Sequence, residues 1–254
     1  MLNIQTIPCL NDNYSYILHE ETSNLTGVID PSEFGIIDKI ISSKYKKIDY
    51  ILNTHHHFDH VGGNKELKKK YNSKIVAYEK DKKRIPGADI LINENKDFNF
   101  GKSIFKILLT PGHTTGHIAF YCAKEKIIFT GDTLFSLGCG RIFEGTYKEM
   151  YDSLNKIKKL PKETLIYCGH EYTKNNSKFC SKYDSGNKNL IGKIEWINSK
   201  LEKGLPTIPT TLEEELNTNI FLRCDNLAIK NNLKMGSSSE ELIFEKLRSL
   251  KDQF

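Results

Sequence analysis

The chain has 254 residues, 38% hydrophobic and 27% charged, with a formal net charge of +5, which is ordinary for a globular protein of one large domain or a domain with an appendage. No apolar run is long enough to cross a membrane, and residues 1–10 lack both a basic region and a long apolar core, so no membrane anchor or signal peptide is expected and a cytoplasmic location is. The basic runs at residues 68–70 and 80–84 lack interleaved aromatics, which argues against nucleic acid and for solvated faces or steering of an anionic small molecule.

In chain order, residues 14–18 and 25–29 read as a strand pair that Asp30-Pro31 ends. Ile36, Ile37, Ile40, Ile41 and Tyr45 are spaced for one helix face. The apolar stretch 48–52 reads as a buried strand and leads into Thr54-His55-His56-His57-Phe58-Asp59-His60. In this His-x-His-x-Asp-His spacing His55 and His57 point one way, while Asp59 and His60 turn toward a neighbouring position. Two adjacent divalent metals suit that arrangement better than one. Imidazole and carboxylate donors favour zinc, iron or manganese over calcium or magnesium. A histidine-rich surface loop or affinity tag is the plain alternative, but a tag would lack Asp59 and would not follow a strand. Gly62-Gly63 then lets the chain turn into a helix from about Asn64.

One grammar recurs downstream: an apolar strand, then a ligand at its carboxyl end. Residues 103–109 lead to Thr110-Pro111-Gly112-His113, 127–130 to Gly131-Asp132, and 165–168 to Gly169-His170. These strands would deliver their ligands to one sheet edge. Beyond Tyr172 the texture becomes helical. Leu190, Ile194, Ile197 and Leu201 form a stripe within 187–203; Thr210-x-x-Glu213 reads as a capping box, and Ser238-x-x-Glu241 begins a last helix through Leu242, Leu247 and Leu250. The reading is a sheet domain over residues 1–172 and a helical appendage over 173–254. The six cysteines are scattered without a Cys-x-x-Cys pair, so no disulfide framework is expected; Cys168, two residues before His170, is at most a marginal ligand.

The His55-to-His60 loop, Thr110-Pro111-Gly112-His113-Thr114, Gly131-Asp132-Thr133-Leu134-Phe135 and Cys168-Gly169-His170-Glu171-Tyr172 resemble the metallo-β-lactamase superfamily. Asp12-Asn13-Tyr14, residues 138–146 and the terminal Lys251-Asp252-Gln253-Phe254 narrow the likeness to the glyoxalase II family, the hydroxyacylglutathione hydrolases, over nearly the full length. The resemblance implies an α/β fold, an αββα sandwich with a C-terminal helical domain. It implies that His55, His57 and His113 bind one metal, that Asp59, His60 and His170 bind a second, and that Asp132 bridges the two. Zinc is the first choice for both, with iron or manganese also admitted.

A water bridging the ions would be acidified toward a hydroxide nucleophile, with Asp59 as the available base. The implied substrate is a glutathione thioester of a 2-hydroxy acid, chiefly lactoylglutathione, acted on by a monomer with no nucleic-acid or membrane partner. Arg248 and Lys251, three residues apart on the last helix, would hold the glycine end of glutathione. Arg141 stands where some relatives have Lys and Phe143 where some have Tyr, so a phenol hydrogen bond from position 143 is lost. Tyr172 could contact the peptide moiety.

Of the remaining histidines, His56 is expected to be packed or hydrogen-bonded, His117 to support the His113 loop, and His19 to lie at the surface. Asp30 either orients a ligand histidine or only caps its turn. The rival readings are a mono-iron sulfur-transforming (persulfide) dioxygenase, a lactonase or phosphodiesterase of the same fold, and a non-catalytic metal- or nucleic-acid-binding protein. The complete second ligand set and the Arg248–Lys251 pair favour the thioester hydrolase.

Overall fold

The structure, a computed structural model, describes residues 1–254. The chain divides into two compact units, residues 1–109 with 116–131 and residues 110–115 with 132–254.

The first unit begins with an antiparallel meander of β1 (Leu2–Cys9), β2 (Asn13–Glu20) and β3 (Leu25–Ile29). Helix α1 (Phe34–Ile40), extended by a wider turn over Ile41–Tyr45 and closed by Lys46 at φ +67°, returns the chain to β4 (Tyr50–Leu52). A short helix α2 (Phe58–Val61), α3 (Asn64–Tyr71), β5 (Lys74–Tyr78) and β6 (Ala88–Ile92) complete the sheet, in which β3 to β6 run parallel. β4 starts two residues later than its apolar stretch because Asp49 takes over the ladder, its carboxylate accepting the Thr26 N–H at 2.8 Å. One face of the sheet buries Ile17, Val28, Ile51 and Ile75 against Ile37 and Ile41 and against Leu67 of α3.

The other face meets an antiparallel group, β7 (Phe98–Phe100), β8 (Ser103–Leu109), β9 (Ile118–Cys122) and β10 (Ile127–Gly131). Tyr16 packs on Phe129 with ring centroids 5.2 Å apart, and Tyr50 meets Phe98 edge-on at 5.2 Å. The ligand loop therefore leaves the carboxyl end of a parallel strand held on both sides, where open α/β sheets place their ligands. Gly62 and Gly63 have ordinary negative φ, so backbone freedom is not their reason. A side chain on Gly62 would lie 2.4 Å from the Ser32 carbonyl, and Gly63 N–H donates to Pro31 O at 2.8 Å. The pair is small so that the loop can lie on residues 31–33.

In the second unit, a two-stranded hairpin, β11 (Leu134–Phe135) and β12 (Gly138–Cys139), precedes α4 (Tyr147–Lys158) and β13 (Leu165–Cys168). Thr146 and Glu149 form a reciprocal capping box on α4, and Met150, Leu154 and Ile157 make its buried stripe. Then come α5 (Thr173–Tyr183), α6 (Lys188–Glu202), β14 (Thr210–Thr211) antiparallel to β13, α7 (Leu212–Thr218), α8 (Leu227–Asn232) and α9 (Glu240–Asp252).

The helix starts expected at Thr210 and Ser238 each fall one residue later. Thr211 and Glu214 form the capping box of α7, because the Thr210 hydroxyl is already engaged by Lys193 Nζ at 3.1 Å and Glu215 Oε1 at 2.9 Å. Ser239 caps α9, because the Ser238 N–H closes a turn onto Met235 O. On α9 the buried face is Ile243, Phe244 and Leu247, and Leu242 is exposed. Phe179, Phe221, Phe244 and Tyr151 form a continuous aromatic core joining α5, α9 and α4.

Candidate metal centre

Each unit contributes a set of ligand-type side chains. In the first, His55, His57, Asp59 and His60 gather at the end of β4, with the His55 ring 4.7 Å from that of His57 and 4.2 Å from that of His60. Asp30, His55 and His60 bring ligand-capable atoms within 4.8 Å of one another.

Asp30 orients two of these rings and does not merely end its strand. Its Oδ1 accepts the Thr54 N–H at 2.8 Å, and its Oδ2 accepts the Thr54 hydroxyl at 2.6 Å and His60 Nδ1 at 3.0 Å. Because that hydroxyl proton goes to Asp30, Thr54 Oγ1 accepts from His55 Nδ1, 3.0 Å away. Both rings therefore carry their proton on Nδ1 and present Nε2 as a lone pair, the arrangement found in histidines that bind metals. The Asn13 amide steadies Asp59, donating to its Oδ2 at 2.8 Å and to its backbone carbonyl at 3.2 Å.

The other histidines support this loop. His56 faces buried Asp81, Nδ1 to Oδ2 at 3.4 Å, with Arg84 on the other carboxylate oxygen. His117 stacks on His55 at 4.9 Å, and a side chain at Gly131 (φ +46°) would collide with His117 and Thr54. His19 is half-buried, 3.2 Å from Thr26 Oγ1, rather than fully at the surface.

In the second unit, His113 Nε2 and His170 Nε2 converge on one atom, Asp132 Oδ2, at 3.4 and 3.3 Å. His113 Nδ1 lies 2.7 Å from the Arg141 carbonyl, which can only accept, so this nitrogen carries the proton. In the neutral ring the Nε2 lone pair then faces a carboxylate oxygen, a repulsive contact that a cation between them turns attractive. The same holds in the first unit, where His60 Nε2 lies 3.6 Å from Asp59 Oδ2. On the chemistry of the donors, the residues fit divalent metal ions.

The His113 loop is clamped from behind. Ser153 donates to Pro111 O at 2.7 Å, and Gly112 (φ +137°) passes so close to Met150 that a side chain there would lie 2.6 Å from its Cβ. Cys168 joins none of the ligand-type clusters: it is buried, and its Sγ–H donates to the His170 carbonyl.

Of the expected substrate contacts, Phe143 and Tyr172 flank His113 and His170. The Phe143 ring is 61% exposed and edge-on to His113 at 5.3 Å, and Tyr172 stacks parallel on His170 at 4.6 Å. Arg141 is exposed beside Asp252, Nε to Oδ1 at 3.4 Å. Lys251 is half-buried between the rings of Phe179 and Phe254, and desolvation, reinforced by the Arg248 charge, lowers its ammonium to about 8. Arg248 is only 5% exposed, with Nη1 donating to Cys139 O at 2.7 Å and Nη2 to Asp252 at 3.1 Å, while Nε has no hydrogen-bond partner.

Sequence reasoning missed the roles of Thr54, Ser153 and Asp81. A threonine before three histidines or a serine on a helix gives no local sign of a partner far along the chain.

Residues 11–170 match the metallo-β-lactamase superfamily, and residues 171–254 match the hydroxyacylglutathione hydrolase C-terminus. A hydroxyacylglutathione hydrolase of Pelagibacter ubique is 55% identical, with all of both chains covered. Another, of Methylococcus capsulatus, is 41% identical over 100% of this chain and 99% of that one. Among solved structures, ETHE1 from Myxococcus xanthus is similar with a TM-score of 0.67 at 22% identity, covering 98% of this chain and 91% of that one. A metallo-β-lactamase from Staphylococcus aureus gives 0.68 at 21% identity, covering 98% and 73%. At such identities these two speak for the fold, α/β of the metallo-β-lactamase type, and for nothing about the reaction.

Proposed function

Because the chain belongs to the hydroxyacylglutathione hydrolases of the metallo-β-lactamase superfamily, we propose that it hydrolyses S-(2-hydroxyacyl)glutathione thioesters, chiefly S-D-lactoylglutathione, to glutathione and D-lactate. The observation that carries this reading is the 55% identity over the whole chain, C-terminal helices included. The ligand assignment proposed with it is His55, His57 and His113 for one ion, Asp59, His60 and His170 for the other, and Asp132 shared. The tautomers held by Asp30, Thr54 and the Arg141 carbonyl support it. Zinc is the proposed metal, and the same donors accept iron or manganese. A monomeric, cytoplasmic enzyme with catalytic residues 1–172 and substrate-binding residues 173–254 completes the proposal.

Bound at these donors, two divalent cations supply an electrophile for the thioester carbonyl and lower the pKa of water. Asp59, held by the Asn13 amide, orients the attacking water and takes its proton. The new bond joins water oxygen to the acyl carbon, the carbon–sulfur bond breaks, and its electron pair leaves with glutathione sulfur. A thiolate is a good leaving group, so no strong general acid is required. Arg141, Lys251 and the buried charge of Arg248 attract the carboxylates of glutathione; Tyr172 and Phe143 border its peptide.

The test is turnover of S-D-lactoylglutathione by the full chain holding two metals, followed by loss of thioester absorbance. Absence of hydrolysis by that protein would refute the reading.

Lys251 gives this reading a pH signature. Its ammonium titrates near 8 in the unliganded protein, and an anionic carboxylate binds the charged form. Affinity is therefore full below that pH and is lost as pH rises through it. KM should climb about tenfold between pH 7 and 9, and Lys251→Arg should flatten the rise, because guanidinium does not titrate there. A KM equally steep in both proteins would remove Lys251 from the binding site.

A further inference from the structure

Leu137 is a fully buried aliphatic residue with φ +58°, a backbone region in which a large side chain is costly. It forms the tip of the β11–β12 hairpin, which begins two residues after Asp132. Such a conformation persists only where its surroundings over-determine it, and such sites cluster near functional centres.

The surroundings here are side chains of the C-terminal helices. Glu215 Oε2 accepts the Leu137 N–H at 2.8 Å, and the Cys180 thiol donates to Leu137 O. Asn219 Nδ2 donates to Phe135 O at 3.2 Å, to Gly138 O at 3.1 Å and to Glu215 Oε2 at 3.0 Å. Asn176 donates to Ser136 O at 3.0 Å, and Arg248 to Cys139 O. The hairpin in turn places the Phe135 ring edge-on to His170 at 5.9 Å and to Tyr172 at 5.2 Å.

We infer that Glu215 and Asn219 are positioning residues: by pinning the strained 134–139 hairpin they hold Asp132 and the His170–Tyr172 stack in ligand geometry. The helical region thus builds part of the metal centre in addition to any part it has in binding substrate. The metal arm of this inference rests on the function proposed above.

The pin works by donor and acceptor pattern, not by charge. Glu215 Oε2 faces two obligate donors, the Leu137 N–H and the Asn219 amide. Oε1 faces two hydroxyls, Ser136 at 3.2 Å and Thr210 at 2.9 Å, which can rotate to accept. An amide oriented with its NH2 toward those hydroxyls satisfies all four groups. Burial also pushes the Glu215 carboxyl upward, as expected where charge is not required.

The experiment compares Glu215→Met with Glu215→Gln in the full chain. Glu215→Met should weaken one of the two metal equivalents about tenfold to a hundredfold in chelator competition and alter the visible spectrum of the cobalt-substituted protein. Glu215→Gln should match the wild type in both. If Glu215→Met fails to fold, Asn219→Ala carries the same test, since it removes the bonds to Phe135 O and Gly138 O. In the metal-free chain, the nitrogen-15 imidazole resonances of His170 should move in Glu215→Met or Asn219→Ala and stay in place in Glu215→Gln. Wild-type affinity, spectrum and resonances in a folded Glu215→Met or Asn219→Ala would overturn the inference, as would equal damage from Gln and Met. Loss of thioester hydrolysis as a wild-type activity would overturn only the proposed function, because the His170 resonances decide the positioning role without metal or substrate.

Discussion

Asp132→Asn is expected to lower kcat by about 10²–10³-fold while leaving the metal-free protein as stable as the wild type or more so. The two halves of that result have one cause. Both His113 Nε2 and His170 Nε2 face Asp132 Oδ2, and the Arg141 carbonyl holds the His113 proton on the far nitrogen. Without a cation, the lone pair of the neutral His113 ring and a carboxylate oxygen repel at 3.4 Å. Asparagine keeps the shape of aspartate, and its amide can donate into that lone pair. The substitution thus relieves the metal-free state and removes the shared negative charge from the loaded one. Melting in the presence of chelator, metal content per chain and turnover with metal in excess separate these effects. Wild-type turnover, or a large fall in chelated melting temperature, would show Asp132 to be a structural residue.

The placement of the ligand-type side chains was the most legible part of this molecule. His113, Asp132 and His170 each follow an apolar strand; β8 and β13 end where that pattern puts them, and β10 one residue later. A strand's period and its terminus are local properties, so one sequence displays them. The helix starts at Thr211 and Ser239 were legible only to within one residue, because neighbouring threonines or serines are equivalent caps until other contacts engage one of them.

Helical spacing put Arg248 and Lys251 on one face but could not say which would sink; the Cys139 carbonyl, which accepts from Arg248 Nη1, decides it in favour of Arg248. Gly62 and Gly63 read as turn residues, yet their role is clearance over residues 31–33. Least legible were the pins. Glu215 and Leu137 are 78 residues apart, and an acidic residue inside a helix ordinarily signals a solvated face.

The sequence admits two meanings for Asp30, a turn cap or an orienting group, and Asp30→Asn tests the orienting role with a large expected effect. Asparagine tolerates the left-handed backbone at φ +47° as aspartate does, so the fold should survive. Its amide cannot flip, because the Thr54 N–H at 2.8 Å demands an oxygen at the δ1 position. The NH2 group must therefore occupy the δ2 position, facing the Thr54 hydroxyl and His60 Nδ1. His60 can meet it only as an acceptor, which moves the ring proton to Nε2. Relieved of donating to Asp30, the Thr54 hydroxyl can donate to His55 Nδ1, and that ring shifts its proton too. One substitution thus turns a ring in each proposed ligand set into the non-ligating tautomer. Metal affinity should fall by about 10–100-fold for each affected ligand, and kcat by about 10²–10⁴-fold, as when an orienting carboxylate is made neutral beside a catalytic imidazole. Nitrogen-15 spectra of the metal-free protein would show both tautomers directly. Rings still protonated on Nδ1, with metal bound as in the wild type, would reduce Asp30 to a cap on its turn.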